Sequence, residues 1–190
     1  MNREDNKIRA FFAIEIPDDF QKWIEENVID ILRKSSARVK WVARENIHIT
    51  LRFIGEIEND KLSQIVDNVE NNIRGIGKIK LELSQTGYFG KKFPRVLWVG
   101  LDGDVDKLEQ IHERIELACR GVGIEPDDKK FSPHITIGRV KSPSHTKELI
   151  EAIGEIEIPY LTFETCELAL FKSTLTPEGP IYNVLKRIKY

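Results

Sequence analysis

The chain begins its apolar pattern with "IRAFFAIEIP", a run of β-branched and aromatic residues that stops at Pro17 and reads as a strand. Asp18 can then cap a helix, and Phe20, Trp23, Ile24, Ile31 and Leu32 follow at helical spacing. "VKWV" reads as a short strand and "IHITLRFIG" as a longer one ending at Gly55. Leu62, Ile65, Val66 and Val69 line one face of a second helix, from about Asn59 to Arg74. "IKLELSQTGYF" alternates as a strand does, and the turn-rich "GKKFP" separates it from the apolar strand "RVLWVGL". A third helix, from about Val105 to Val122, points Val105, Leu108, Ile111, Ile115, Cys119 and Val122 inward. After it come the strand "PHITIGRV", a fourth helix in "SHTKELIEAI", and closing strands in "LTFETCELALFKSTL" and "IYNVLKRI".

Strands and helices mixed in this order predict an α+β fold, with helices packed outside antiparallel sheet. The second half roughly repeats the first, and each half carries one His-Ile-Thr strand: His48-Ile49-Thr50-Leu51 and His134-Ile135-Thr136-Ile137. No Gly-, Ser- or Pro-rich linker separates the halves, which meet near residues 100–104. The expectation is one bilobal domain, residues 1–190, in which two pseudo-symmetric lobes share a core and enclose a cleft.

Composition narrows the function classes. Hydrophobic residues make up 41% and charged residues 32% of 190, a globular balance. The formal net charge of −2 excludes a globally basic nucleic-acid coat but leaves room for a local basic groove. No apolar run approaches the length of a membrane span. The start, "MNREDNKIRAFFAIEIP", is broken by Glu15 and lacks a small-residue cleavage site, so it reads as a first strand rather than a leader. Cys119 and Cys166 lack metal spacing and sit in apolar patterns, as reduced core residues would. A cytoplasmic monomer is expected.

A strand sends alternate side chains to opposite faces, so His and Thr of each motif share one face while Ile49, Leu51, Ile135 and Ile137 point into a core. If the two strands meet, two imidazoles can act as general base and general acid across one reacting centre. Two Thr hydroxyls can donate to developing charge on a phosphoryl oxygen. A single His-x-Thr in a strand is commonly structural, but core packing alone gives no reason to repeat it at matched positions. Two His without further Cys, Asp or Glu at consistent spacing do not close a zinc shell, so no metal is expected. Neither a phosphate-cradling G-x-x-x-x-G-K-[ST] nor an activated cysteine is present, which argues against ATP and thiol chemistry. His112 and His145 read as solvated helix residues.

The paired "HITL" and "HITI" resemble the twin H-x-T-x signatures of the two-histidine phosphoesterases. "RAFFAIEIP", "HITLRFIGE", "FPRVLWVG", "FSPHITIGRV" and "LFKSTLTPEGPIY" are similar to one branch, the RNA 2′,3′-cyclic phosphodiesterases, also named 2′-5′ RNA ligases. The resemblance implies metal-independent hydrolysis of a terminal 2′,3′-cyclic phosphate on RNA to a 2′-phosphomonoester, without cofactor or ATP. It also implies RNA ends, tRNA fragments among them, as partners. It makes His48 the proton donor to the leaving 3′ oxygen and His134 the acceptor that activates water, with Thr50 and Thr136 on the non-bridging oxygens. Two nearly identical motifs do not themselves order donor and acceptor. The alternatives are ligation of RNA halves through a 2′-5′ bond and a non-catalytic RNA-binding module on the same fold.

Substrate contacts are further expectations. Arg52 shares strand parity with His48 and Thr50 and is a candidate for a phosphate, a salt bridge at the cleft edge being the other reading. Arg139 has the wrong parity unless a bulge at Gly138 turns it inward, yet it matches a family arginine. Phe12, or its neighbour Phe11, is a candidate to stack on a base, although aromatic residues in a first strand are commonly core. Lys91, Lys92 and Arg95 could line an RNA path.

Overall fold

A computed structural model of the chain describes residues 6–190; the first five residues of the stretch weighed as a leader lie outside it. Strand β1 (Lys7–Glu15) runs into helix α1 (Asp18–Ile24), which continues through a π turn (Glu25–Ile29) into a last α turn, α2 (Asp30–Leu32). There follow β2 (Val39–Trp41), β3 (His48–Glu58), α3 (Asn59–Asn72), β4 (Ile79–Phe89), β5 (Val96–Gly103) and α4 (Val105–Gly121). The chain closes with β6 (His134–Val140), α5 (Thr146–Glu155), β7 (Thr162–Thr165), β8 (Glu167–Leu175) and β9 (Pro180–Lys189).

The α+β expectation is met. The strands form one curled antiparallel sheet in the order β7-β4-β5-β6-β3-β1-β8-β9, with β2 added beside β6. Its centre is the contact between the two His-Ile-Thr strands, where Ile49 pairs with Ile135. Four strands lie on the β3 side and the rest on the β6 side, which makes two lobes. Neither lobe comes from one half of the sequence. β4 leaves the first half to join β5, and β8 and β9 leave the second half to join β1. The position near residue 100, a repeat boundary in sequence, therefore falls inside β5.

β1 shows why its sequence is apolar without alternation. Ala10, Phe12 and Ile14 face the main core beneath the helices, while Phe11 and Ala13 join Ala169 and Phe171 in a second cluster on the opposite face. Buried on both sides, the strand has no polar positions to show. α3 and α4 are half-buried, setting Leu62, Ile65, Val66 and Val69, and Leu108, Ile111, Ile115 and Cys119, into the main core.

Two local departures from the sequence pattern have simple causes. The π turn inserts extra rotation, so Val28 and Ile29 enter the core while Ile31 turns out and is 41% exposed. "LTFETCELALFKSTL" is two strands rather than one, because the chain crosses from β4 to β1 at Cys166. Cys166 is consequently exposed; Cys119 is buried as expected.

Ile49 and Ile135 are fully buried and hold the only register pair between β3 and β6 among the described residues. Ile49→Ala and Ile135→Ala should each cost about 2–5 kcal/mol in urea denaturation. The double variant should cost less than the sum, since the first truncation already opens the shared contact.

Candidate active site

His48 and His134 open their strands, and each is anchored the same way. His48 Nδ1 lies 2.7 Å from the Asn46 carbonyl oxygen, and His134 Nδ1 lies 2.7 Å from that of Ser132. A carbonyl can only accept, so Nδ1 carries the hydrogen in both rings and Nε2 is left as the nitrogen with the lone pair. Thr50 Oγ1 lies 2.9 Å from His48 Nε2, where its hydroxyl donates to the neutral ring. Thr136 is half-buried on the matching position of β6, opposite Trp98.

Their surroundings differ. His48 packs on Phe11 (ring centroids 5.1 Å) and the edge of Tyr182 (5.5 Å). This burial pulls its pKa down to about 4, against the raising effect of the Asn46 carbonyl, and His134 lowers it further. His134 meets the edge of Phe89 at 5.0 Å. Burial lowers its pKa as well, and the charge of Arg139 acts in the same direction. The pairing of Ile49 with Ile135 sets the two motifs side by side, so both imidazoles face one cleft.

Each strand then bulges at the fourth residue of its motif. Ala13 pairs with Thr50 and Phe12 with Arg52, which skips Leu51; Trp98 pairs with Thr136 and Leu97 with Gly138, which skips Ile137. Side-chain parity reverses beyond both bulges. Arg139 is thereby returned to the face of His134 and Thr136, through a bulge one residue earlier than the sequence suggested. Arg52 is turned away from the cleft by the same device.

Arg52 is thus corrected from substrate ligand to buried brace. Only 5% exposed, it is ion-paired with Glu116 of α4, itself 7% exposed. Its Nη2 donates to the Glu125 carbonyl at 2.7 Å and its Nη1 to the Phe53 carbonyl at 2.8 Å, with Asp127 at 3.3 Å. Phe12 is corrected too: it is fully buried on the core face and cannot stack on a base. Phe11 is on the cleft face but lies buried beneath His48. Lys91, Lys92 and Arg95 are exposed in and after the β4–β5 turn.

His112 is not solvated. Its Nδ1 donates to the Leu51 carbonyl at 2.9 Å, and its ring stacks on Phe131 at 4.3 Å. His145 is exposed, at the left-handed residue before α5. Sequence reading also missed the cleft aromatics Phe53, 43% exposed, and Phe89, 39% exposed. Aligning the two motifs gives a signal for the first: with a bulge in each, Phe53 is the counterpart of Arg139. Among the described residues no three His, Cys, Asp or Glu side chains gather as metal ligands. No helix among them is long and apolar enough to cross a membrane.

The profile of the 2′-5′ RNA ligase superfamily matches residues 16–176, which spans both motifs, both bulges and the crossing strands β4 and β8. The chain belongs to that superfamily. Within it, a Thermotoga maritima protein named RNA 2′,3′-cyclic phosphodiesterase is 36% identical over 187 residues, covering 96% of each chain. A Methanocaldococcus jannaschii protein of the same name is 34% identical over 94% of this chain and 99% of its own. Among solved structures, TT0787 of Thermus thermophilus superposes with a TM-score of 0.79 at 25% identity, covering 96% of this chain and 97% of that one. Escherichia coli LigT, crystallised with 3′-AMP, shares the superfamily fold with a TM-score of 0.75 at 23% identity, over 96% of this chain and 98% of that one.

Removing one partner of the buried pair leaves the other charge stranded. Arg52→Met should therefore lower stability by about 3–5 kcal/mol. Arg52→Met with Glu116→Leu should recover a large part of that in the same denaturant titration, which a surface pair would not do.

Proposed function

We propose that the chain hydrolyses terminal 2′,3′-cyclic phosphate on RNA ends to a 2′-phosphomonoester, without a metal. The observation that carries this reading is the matched anchoring of two imidazoles. Both are fixed through Nδ1, both keep Nε2 for chemistry, and each has a Thr hydroxyl two residues on, on the same face. The names of the superfamily relatives support the substrate class.

In the proposed reaction a water oxygen attacks phosphorus while His134 Nε2 takes its proton. The bond from phosphorus to the 3′ oxygen breaks, and His48, protonated at Nε2, gives its proton to that oxygen. The product retains phosphate on the 2′ oxygen and gains a 3′ hydroxyl. Thr50 and Thr136 donate to the non-bridging oxygens, where negative charge gathers in the transition state. Thr50 first has to release His48 Nε2, and protonation of that nitrogen makes the release favourable because it no longer accepts.

His48→Ala and His134→Ala should each cut turnover by at least about 100-fold on an RNA ending in a cyclic phosphate, with the fold retained. Near-normal turnover in either folded variant removes that residue from the mechanism. Activity should persist in EDTA; loss restored by Zn²⁺ or Mn²⁺ would make the histidines ligands instead.

pH offers a second test. Both imidazoles bind protons less readily than the ordinary value of 6.5 in the free protein. kcat/KM, which follows the free enzyme, should therefore peak below pH 6.5 and fall above it. The phosphodiester anion raises the proton affinity of both rings once bound, so the kcat optimum should lie at higher pH than that of kcat/KM. Coincident optima above pH 7 would contradict the paired acid and base.

A further inference from the structure

Beyond the bulge in β6 lies a feature that the proposed reaction does not use. β2 pairs with β6 so that Lys40 sits directly opposite Arg139. One step outward, the Lys141 amide donates to the Arg38 carbonyl at 2.7 Å, which sets those two residues opposite each other as well. Strand alternation puts Arg38 and Lys40 on one face of β2, and Arg139 and Lys141 on the same face of β6. All four are exposed, and none forms an ion pair among the described residues. The result is a two-by-two array of cations, about 5 Å across the strands and about 7 Å along them.

Such an array is costly for a sheet on its own. Like charges directly opposite one another destabilise the pairing, and the chain as a whole carries a net charge of −2, so this grouping is no reflection of a basic protein. β2 is also fixed tightly where it lies. A side chain at Gly138 would come within 2.8 Å of Val39 and 3.0 Å of Trp41, so the glycine lets β2 pack down onto β6 and holds the array in place. The inner corner of the array, Arg139, lies beyond the β6 bulge on the same face as His134 and Thr136. The array is therefore continuous with the reacting site and leads away from it.

We propose that this face is a polynucleotide track: it binds the backbone phosphates of the RNA strand upstream of the reacting end. The spacing of about 7 Å along each strand suits successive phosphates of an extended single strand. The proposal rests on the reading of the cleft as an RNA-end phosphodiesterase and adds to it a separate subsite for the upstream strand. The preferred substrate is an oligonucleotide, because a cyclic mononucleotide fills the cleft but has no phosphate to lay on Arg38, Lys40 or Lys141.

The test compares Arg38→Thr/Lys40→Thr with the unaltered chain on a cyclic mononucleotide and on a ten-nucleotide RNA ending in a 2′,3′-cyclic phosphate, over a range of salt. Mononucleotide kcat/KM should stay within about twofold, since neither residue touches the reacting phosphate. RNA kcat/KM should fall about tenfold at low salt, and its log–log salt slope should flatten by about 1.4, or 0.7 for each phosphate contact removed. The melting temperature should rise or hold, because two opposed like charges have been relieved. Equal salt slopes for both substrates, or an unchanged RNA slope in the variant, overturn the track. If neither substrate is cleaved, the catalytic reading fails separately, and fluorescence anisotropy with the same RNA decides the track. A flattened binding slope in the variant supports it; an unchanged slope overturns it. Polyglutamate binding as tightly as RNA of equal charge would also overturn it.

Discussion

A bulge frees a backbone carbonyl from the sheet ladder, and a carbonyl left without a donor in the interior is expensive. The two motif strands each bulge one residue beyond the Thr, so the cleft meets that demand twice. The Leu51 carbonyl receives the ring N–H of His112, and the Ile137 carbonyl receives the backbone N–H of Val42 at 3.0 Å. The rest of the cleft depends on those two bonds. They fix the reversal of parity that sends Phe53 and Arg139 toward the cleft and sends Arg52 and Gly138 away from it.

The donors come from the segments that precede each motif strand, and they come crosswise. The stretch after β2, just before β3, serves the bulge of β6. α4 serves the bulge of β3, and the loop from α4 to β6 takes the guanidinium of Arg52 through the Glu125 carbonyl. Gly138 and Arg52 are equivalent positions with opposite solutions. At one, the absence of a side chain lets β2 pair directly; at the other, a long cation bridges to a loop that makes no strand. Together with the exchanged strands β4 and β8, these crossings make the two imidazoles properties of one cooperative unit. Each bulge is held by a segment from the other half of the sequence, so neither motif strand reaches its geometry until both halves have folded.

Much of this was legible in the sequence where periodicity carries the signal. α3, α4 and β4 bury the residues their spacing nominates, because a single packed face imposes a single period. The duplicated His and Thr were legible because both lie before the bulge, where alternation still holds. Arg52 was misread because parity was carried straight through Leu51, and Phe12 because a strand apolar on both faces does not show which of its aromatics faces the cleft. A bulge leaves no composition mark, since Leu51 and Ile137 are as apolar as the strand around them. His112 was misread because helical position alone does not reveal a carbonyl waiting on the neighbouring strand. The crossing at Cys166 was invisible because both halves of that run are good strands, and pairing partners are not written in periodicity.

Nearly identical motifs end with unlike proton affinities, and the difference suits the proposed roles. His48, closed in by Phe11 and Tyr182, falls to about 4; His134, set against the edge of Phe89, is lowered less. An acid with low proton affinity is seldom charged in the free protein but gives up its proton readily once it is. A base with higher affinity takes a proton more readily from water. Assigning donor to His48 and acceptor to His134 therefore places the stronger acid at the leaving oxygen and the stronger base at the attacking one. What that proposed arrangement lacks is population of the productive charge state, which a bound phosphodiester would supply. A phosphodiester anion between the rings favours the imidazolium form electrostatically. Burial that disfavours a charged His48 in the free protein would also exclude the water that screens this attraction, so under the proposed roles the same aromatic wall that lowers its proton affinity would make its protonation depend on a bound anion.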